Sequence, residues 1–346
     1  MKEYLIYRLE VDQISISSLK VERTYMSYLL EWAEDRPFKQ VMKFRPTFPD
    51  YLLTERLDKE GKPLTGPYTK KILATVRYFF SWLSDNKIGY KRINQAWIRT
   101  LKIKRLTHKP KTKDAVTLDE IFQISIAPVE TIMERRIRAT AVFLYLSGIR
   151  ISAFVSLKLH LVDIDNREVI QDPALGVRTK NQKYAVTYLL HIPELLMVVK
   201  KWDDEVRAIL PATGFWFAPL SPDTGEIDTS VFQIGESRHS LARRNLKAWL
   251  EKVGLPYHSP HKFRHGHIQY GLGRSNTLAD FKAVSLNAMH SSTKTTDEYY
   301  SNIDDDEVKN RITALGNNGN SIDDGQRELE QFREFLAWKN GKKANG

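Results

Sequence analysis

The 346-residue chain contains no cysteine. Disulfide frameworks, cysteine-based zinc ribbons and a thiol nucleophile are thereby excluded. Long apolar runs are missing as well. No stretch approaches the roughly 20 residues that span a bilayer. Met1-Lys2-Glu3-Tyr4 opens without an apolar signal core, so the expectation is a soluble intracellular protein with no membrane partner. Acidic residues are in deficit: 42 Asp and Glu face 53 Lys and Arg, for a net charge of +11. A cation excess of this size favours a polyanionic partner. The composition, 42% hydrophobic and 27% charged, can bury a core and is not that of a disordered chain. At roughly 100–200 residues per domain, the length suggests two domains.

Much of the charge sits between two segments that each look folded. Leu101 to Asp114 reads LKIKRLTHKPKTKD. Lys102, Lys104, Arg105, Lys109, Lys111 and Lys113 face a single acid, Asp114. Pro110 and the loss of apolar periodicity after Leu106 predict an extended linker. Such a strap can cross a nucleic-acid backbone and release counterions. Before it, Tyr25, Tyr28, Leu29 and Trp32 recur at i, i+3, i+4 and i+7 and predict a helix. A second helix is expected from Tyr68 to about Ser84, after the Gly66-Pro67 breaker with Thr65 as cap, and a short third over Asp50 to Leu57. The polar faces here are basic, with Lys70, Lys71 and Arg77 as the first candidates for contact with a polyanion.

After the strap, Thr117-Leu118-Asp119-Glu120 has the form of a capping box. A long helix follows from about Thr131 to Leu146, with Ile132, Ile137, Ala141 and Leu144 on its buried side and Ser147-Gly148 at its end. Two β-like stretches, Gly176 to Thr179 and Tyr184 to His191, flank Asn181-Gln182 and predict a hairpin. Helices resume at Pro193, Ser237, Ser259 and Leu278. The expected fold class is therefore mainly α with a small inserted β-sheet. The expected divisions are a helical domain over 1–105, a basic linker over 106–114 and a second domain over 115–315. A loop and C-terminal helix over 316–346 follow, with Leu329, Phe332 and Leu336 as an apolar stripe.

Four places gather the residues able to do chemistry. Arg150 follows the long helix, and Lys180 sits at the tip of the expected hairpin. In the run from Ser259 to His267, SPHKFRHGH, Ser259 and Pro260 are suited to the N-cap and first helical positions. His261 then lies at a helix terminus that attracts anions, with Arg264 one turn on. Last comes MHSSTKTTDEYYS, with His290, Tyr299 and Tyr300. His261 and His265, at i and i+4, have zinc-ligand spacing. Lys262 and Arg264 accompany them and no acid does, so the motif favours an anionic phosphate over a metal ion.

The order Arg150, Lys180, His261-x-x-Arg264, His290 and then a tyrosine resembles the tyrosine recombinase (phage integrase) family, over roughly residues 10 to 305. The resemblance implies a helical core-binding domain joined to an α+β catalytic domain. It implies a site-specific DNA recombinase or integrase that cleaves and rejoins DNA through a 3′-phosphotyrosine without metal, ATP or cofactor. Arg150 and Arg264 would clamp the phosphate, Lys180 would protonate the leaving 5′-oxygen, and His261 and His290 would assist, with His265 supporting. The nucleophile implied is Tyr300, with Tyr299 as the alternative. Double-stranded DNA is the implied partner, taken by a homo-tetramer on two duplexes that is monomeric in solution, in the cytoplasm and associated with the nucleoid. No small-molecule substrate is implied. Ala153 stands where family members often carry an acid three positions after the first arginine. Two alternatives accompany this reading: a type IB topoisomerase-like enzyme and a catalytically impaired DNA-binding relative.

Overall fold

The computed structural model describes residues 1–103, 114–275 and 277–289. The chain divides into two compact units, Met1–Lys109 and Pro110–Gly346. In the first unit, Ser15 accepts the Ser18 N–H at its hydroxyl and starts α2 (Ile16–Ala33). This helix packs with α1 (Lys2–Glu10), α3 (Phe48–Thr54) and α4 (Gly66–Asn86), and α5 (Gln95–Thr100) packs on α4. Thr47 caps α3 through its hydroxyl. Thr65 stands at the cap of α4 without a side-chain bond, and Pro67 lies within the first turn, where a missing N–H costs nothing. Apolar positions of α2 and α4 converge on a core in which Tyr4, Leu29, Phe48, Ile72, Val76 and Phe80 are fully buried. Lys70 and Lys71 are exposed on α4, Arg77 is half-buried there, and Lys102 is exposed.

The second unit is built around α7 (Ile132–Ser147). Thr131 and Glu134 close a capping box at its start, as Thr117 and Glu120 do for α6 (Leu118–Ile126). From Ala139 to Ile149 every residue is buried. The sequence pattern predicts one buried side; the structure buries the helix all round. The reason is that α6, α9 (Pro193–Arg207), α10 (Arg238–Lys252) and α11 (Pro260–Gly273) pack against it from several directions. Asp203 on α9 accepts from Trp216 Nε1 at 2.9 Å and Arg207 Nε at 2.7 Å, which satisfies a buried carboxylate.

The inserted sheet has the order β1-β2-β3, with β1 (Val162–Asp163), β2 (Glu168–Gln171) and β3 (Ala185–Tyr188) all antiparallel. Val169 opposes Thr187, and both are buried. The expected strand at Gly176 to Thr179 is not one. β2 takes the place beside β3, and residues 172–184 form the connection. The strand signal at Val177 and Thr179 is overridden by local bonds. The Val177 N–H turns back to Asp172 O at 3.1 Å, and the Thr179 N–H to Val177 O at 2.9 Å. α12 (Leu278–Asn287) begins with a capping box, Thr277 with Asp280, and packs on α11 and β3. Among the described residues, no helix is long and apolar enough to cross a membrane.

Candidate active site

The site begins where α7 stops. Gly148 takes the left-handed conformation, φ +63°, and its N–H closes on Leu144 O at 3.0 Å. The chain reverses there and places Arg150, half-buried, at the N-cap of the short helix α8 (Ile151–Phe154). A Cβ at Gly148 would stand 2.5 Å from Cδ2 of His267. Gly148→Ala therefore meets a left-handed penalty of roughly 1–2 kcal/mol and overpacking of roughly 1–3 kcal/mol. A loss of about 3 kcal/mol in urea unfolding is the expected result; an unchanged midpoint would show that the turn relaxes without cost.

Arg264 joins the separated motifs. Its residue is 3% exposed. One terminal nitrogen donates to the carbonyl of Gly148, just before Arg150, and the other to the carbonyl of Ala288, just before His290. The guanidinium thus braces two segments that lie 116 and 24 residues from it in sequence. Its fork geometry suits this, since it offers five N–H donors in one plane. His261 is exposed at the start of α11, and its ring lies against that of His265 at 4.3 Å between centroids. Ser259 occupies the cap position as expected. No cap bond forms at its hydroxyl; its carbonyl accepts the Lys262 N–H at 2.8 Å.

The last strap residue, Asp114, and Val116 just beyond it are latched to α11. Lys262 pairs with Asp114, His265 Nδ1 lies 3.3 Å from Asp114 O, and the Val116 N–H donates to Lys262 O at 3.2 Å. The Lys262 ammonium holds the Asp114 carboxyl below its ordinary range. His265 therefore supports the helix from the strap side. Gly266 is required for this approach, because a Cβ there would stand 2.2 Å from Val116 O.

His267 and Asn287 form a second brace, which sequence reading did not assign. His267 is 2% exposed, with Nδ1 3.0 Å from Tyr145 O and Nε2 3.2 Å from Asn287 Nδ2. Asn287 also accepts the Tyr188 N–H at 2.7 Å and donates to Tyr188 O at 3.0 Å. These bonds require a neutral imidazole with its proton on Nδ1, since Nε2 must accept from the amide. Burial, aided by the nearby Arg264 charge, pushes the His267 pKa down to about 4 from 6.5. Between those values the unfolded chain takes up a proton that the folded chain refuses. The contribution to stability is complete above pH 6.5 and is lost as the pH falls toward 4. It amounts to on the order of 3 kcal/mol. Urea unfolding of the wild type and His267→Gln at about pH 7.5 and about pH 4.5 measures it; a difference between the two proteins that is the same at both pH values would exclude the coupling.

Lys180 is exposed and opens a 3₁₀ turn, Lys180–Gln182, in which Asn181 and Gln182 have φ of 59° and 51°. Backbone in this region costs a non-glycine residue roughly 1–2 kcal/mol, and such strain clusters at functional loops. Ala153, where the resembling family often carries an acid, is 1% exposed and packs in the core. The expected His290, Tyr299 and Tyr300, the strap residues Lys104, Arg105, Lys109, Lys111 and Lys113, and the tail over 316–346 lie outside the described residues. Among the described residues, no three His, Asp or Glu side chains gather as a metal-ligating group. The structure joins Arg264 to the turn at Gly148 and to the end of α12 at Ala288. Gly148, His267 and Asn287 complete that arrangement; only the left-handed glycine after a long helix carried a local sequence signal.

No protein-family model matches the chain. It is similar to tyrosine recombinase XerC of Proteus mirabilis, with 27% identity over 237 residues that make up 65% of each protein. The chain thus spans slightly under two thirds of that relative. Among solved structures it is similar to a lambda integrase dimer bound to a core site, with 13% identity, a TM-score of 0.59, and coverage of 86% of this chain and 93% of that one. It is also similar to the Tn1549 transposon integrase in complex with circular intermediate DNA, with 17% identity, a TM-score of 0.56, and coverage of 90% and 98%. The structural likenesses establish a shared fold. Together with the XerC relative and with the ordered Arg150, Lys180, His261-x-x-Arg264 and His290, they make the chain similar to tyrosine recombinases.

Proposed function

We propose that the chain is a site-specific recombinase that cuts and rejoins duplex DNA through a 3′-phosphotyrosine. The observation that carries this reading is the buried Arg264 guanidinium, which draws the turn before Arg150 and the segment before His290 together around one positive charge. Attack on a phosphodiester adds negative charge to its non-bridging oxygens. Fixed cations that need no reorganisation stabilise that charge. Arg150 and Arg264 supply the charge, and His261 and His290 add hydrogen bonds to the same phosphate. The Tyr300 hydroxyl forms the new P–O bond as the P–O5′ bond breaks, and Lys180 donates the proton to the departing 5′-oxygen. The phosphodiester energy stays in the phosphotyrosine, so the reverse attack by a 5′-hydroxyl rejoins the strand. No cofactor takes part in these steps.

The partner in this reading is double-stranded DNA, met by Lys70, Lys71, Arg77 and Lys102 of the first unit, with the strap crossing the phosphate backbone. Strand exchange needs two duplexes and hence four protomers. The tail stripe of Leu329, Phe332 and Leu336 has two candidate docking places in this reading, a neighbouring protomer or its own domain. The test is incubation of the full chain with nicked suicide duplexes carrying its candidate site. A denaturation-resistant protein–DNA adduct formed without added metal is expected, and peptide mapping locates the modified tyrosine. Adduct formation that requires a divalent cation would overturn the mechanism. Efficient relaxation of supercoiled plasmid lacking any such site would point instead to topoisomerase chemistry.

A further inference from the structure

Lys180 lies on an exposed turn, yet the residues just before it are tied down at several points. The Arg178 backbone N–H donates to Ser156 Oγ at 2.9 Å. That hydroxyl, on a residue only 1% exposed, donates in turn to the Ala153 carbonyl at 2.7 Å, within the helix that Arg150 opens. The Arg178 side chain reaches the other way. Its two terminal nitrogens donate to Gly235 O at 2.9 Å and Ile234 O at 2.8 Å, in the loop that leads to α10. Val177 beside it is buried. From Asn181 onward the backbone enters the left-handed region. The chain is therefore held at 177–178 and turns sharply just beyond Lys180.

We propose that Arg178 is a positioning residue for Lys180, a fixed post between the Arg150 helix and the 234–235 loop about which the lysine swings toward the leaving oxygen. This rests on the reading of Lys180 as proton donor. Two neutral features and one unfavourable one set the geometry. The Ser156 hydroxyl, which accepts from the Arg178 backbone, and the two loop carbonyls, which accept from its guanidinium, are all neutral. Against them, Arg178 stands near Arg238, whose own pKa burial and that like charge lower to about 10. Three hydrogen bonds to one residue hold it there despite the repulsion. A lysine side chain has four rotatable bonds, so its ammonium finds the 5′-oxygen only if its Cα is fixed. A displacement of about 1 Å is enough to cost on the order of 100-fold in a positioned step.

The experiment is single-turnover cleavage by the full-length protein on two suicide duplexes, one with the ordinary 5′-bridging oxygen and one with a 5′-bridging sulfur. The sulfur leaves without protonation, so it bypasses the lysine. Arg178→Ala is expected to slow cleavage of the oxygen substrate by roughly 10- to 100-fold. On the sulfur substrate it should cleave within about threefold of the wild type, with duplex binding unchanged. Ser156→Ala removes the other end of the post with a minimal change in volume and should show the same substrate-dependent defect, which provides a second reading if Arg178→Ala folds poorly. Arg178→Lys keeps the charge without the two-pronged fork and should not restore the rate. Equal losses on both substrates, or no loss on either, would overturn the positioning role while leaving the cleavage chemistry intact. A wild-type protein that forms no adduct with either duplex would overturn the cleavage reading and this assignment with it.

Discussion

Tyr300→Phe abolishes the covalent protein–DNA adduct and leaves duplex binding nearly intact. The substitution removes a single oxygen, the atom that in the proposed reaction forms the bond to phosphorus. It leaves the aromatic ring and every cation that meets the DNA backbone. Loss of a covalent nucleophile removes the intermediate itself, so the adduct should fall below detection rather than merely form more slowly. Tyr299→Phe retains at least part of the activity. Adduct formation is read on denaturing gels and duplex binding by mobility shift, in parallel. A dead Tyr299→Phe beside an active Tyr300→Phe would move the nucleophile by one residue and keep the reaction.

Arg264→Ala and Arg150→Ala both depress cleavage, but in distinguishable ways. Loss of one preorganised donor to a developing oxyanion costs roughly 10²–10³ in rate. Arg150 is half-buried at the edge of α8, so Arg150→Ala should show that rate loss with little change in stability. Arg264 is 3% exposed and bonded to the Gly148 and Ala288 carbonyls. Its removal leaves two buried acceptors unsatisfied, at roughly 1–3 kcal/mol each. Arg264→Ala should therefore lose more than 10³-fold in cleavage and unfold at visibly lower urea concentration. Arg264→Lys keeps the charge, but one ammonium cannot reproduce a planar fork that spans two carbonyls, so it should recover only part of either loss. Equal stability of the Arg150 and Arg264 variants would show that the brace is not what holds the two segments together.

The unevenness of these expectations follows from where the information lies. Starts of helices were legible in the sequence because a cap is a bond between residues three apart: Thr117 with Glu120, and Thr131 with Glu134. The long helix α7 was legible too, but its burial on every side was not. A one-sided pattern reports amphipathicity, and α7 has partners all round. The sheet was expected in kind but misplaced in part. Val177 and Thr179 look like strand residues, yet the segment bonds to its own Asp172 and Val177 carbonyls, and β2 supplies the partner for β3.

Residue types and their order, by themselves, suggested the reaction class proposed above. Two arginines, a lysine, histidines and a late tyrosine are the side-chain types that phosphate chemistry needs, because charge and nucleophilicity are intrinsic to them. Net positive charge likewise favoured a polyanionic partner. Only the tertiary structure decided which groups hold those side chains in place. His267 is a buried relay rather than one more basic residue of a cation-rich motif, and Asn287 is its partner 20 residues on. Arg178 bonds across 22 residues to Ser156 and across 56 and 57 to the 234–235 loop. The physical reason is one of range. A capping bond is chosen by a neighbour in sequence, whereas a carbonyl 116 residues away comes within reach of Arg264 only after α7 and α11 have packed and fixed their register.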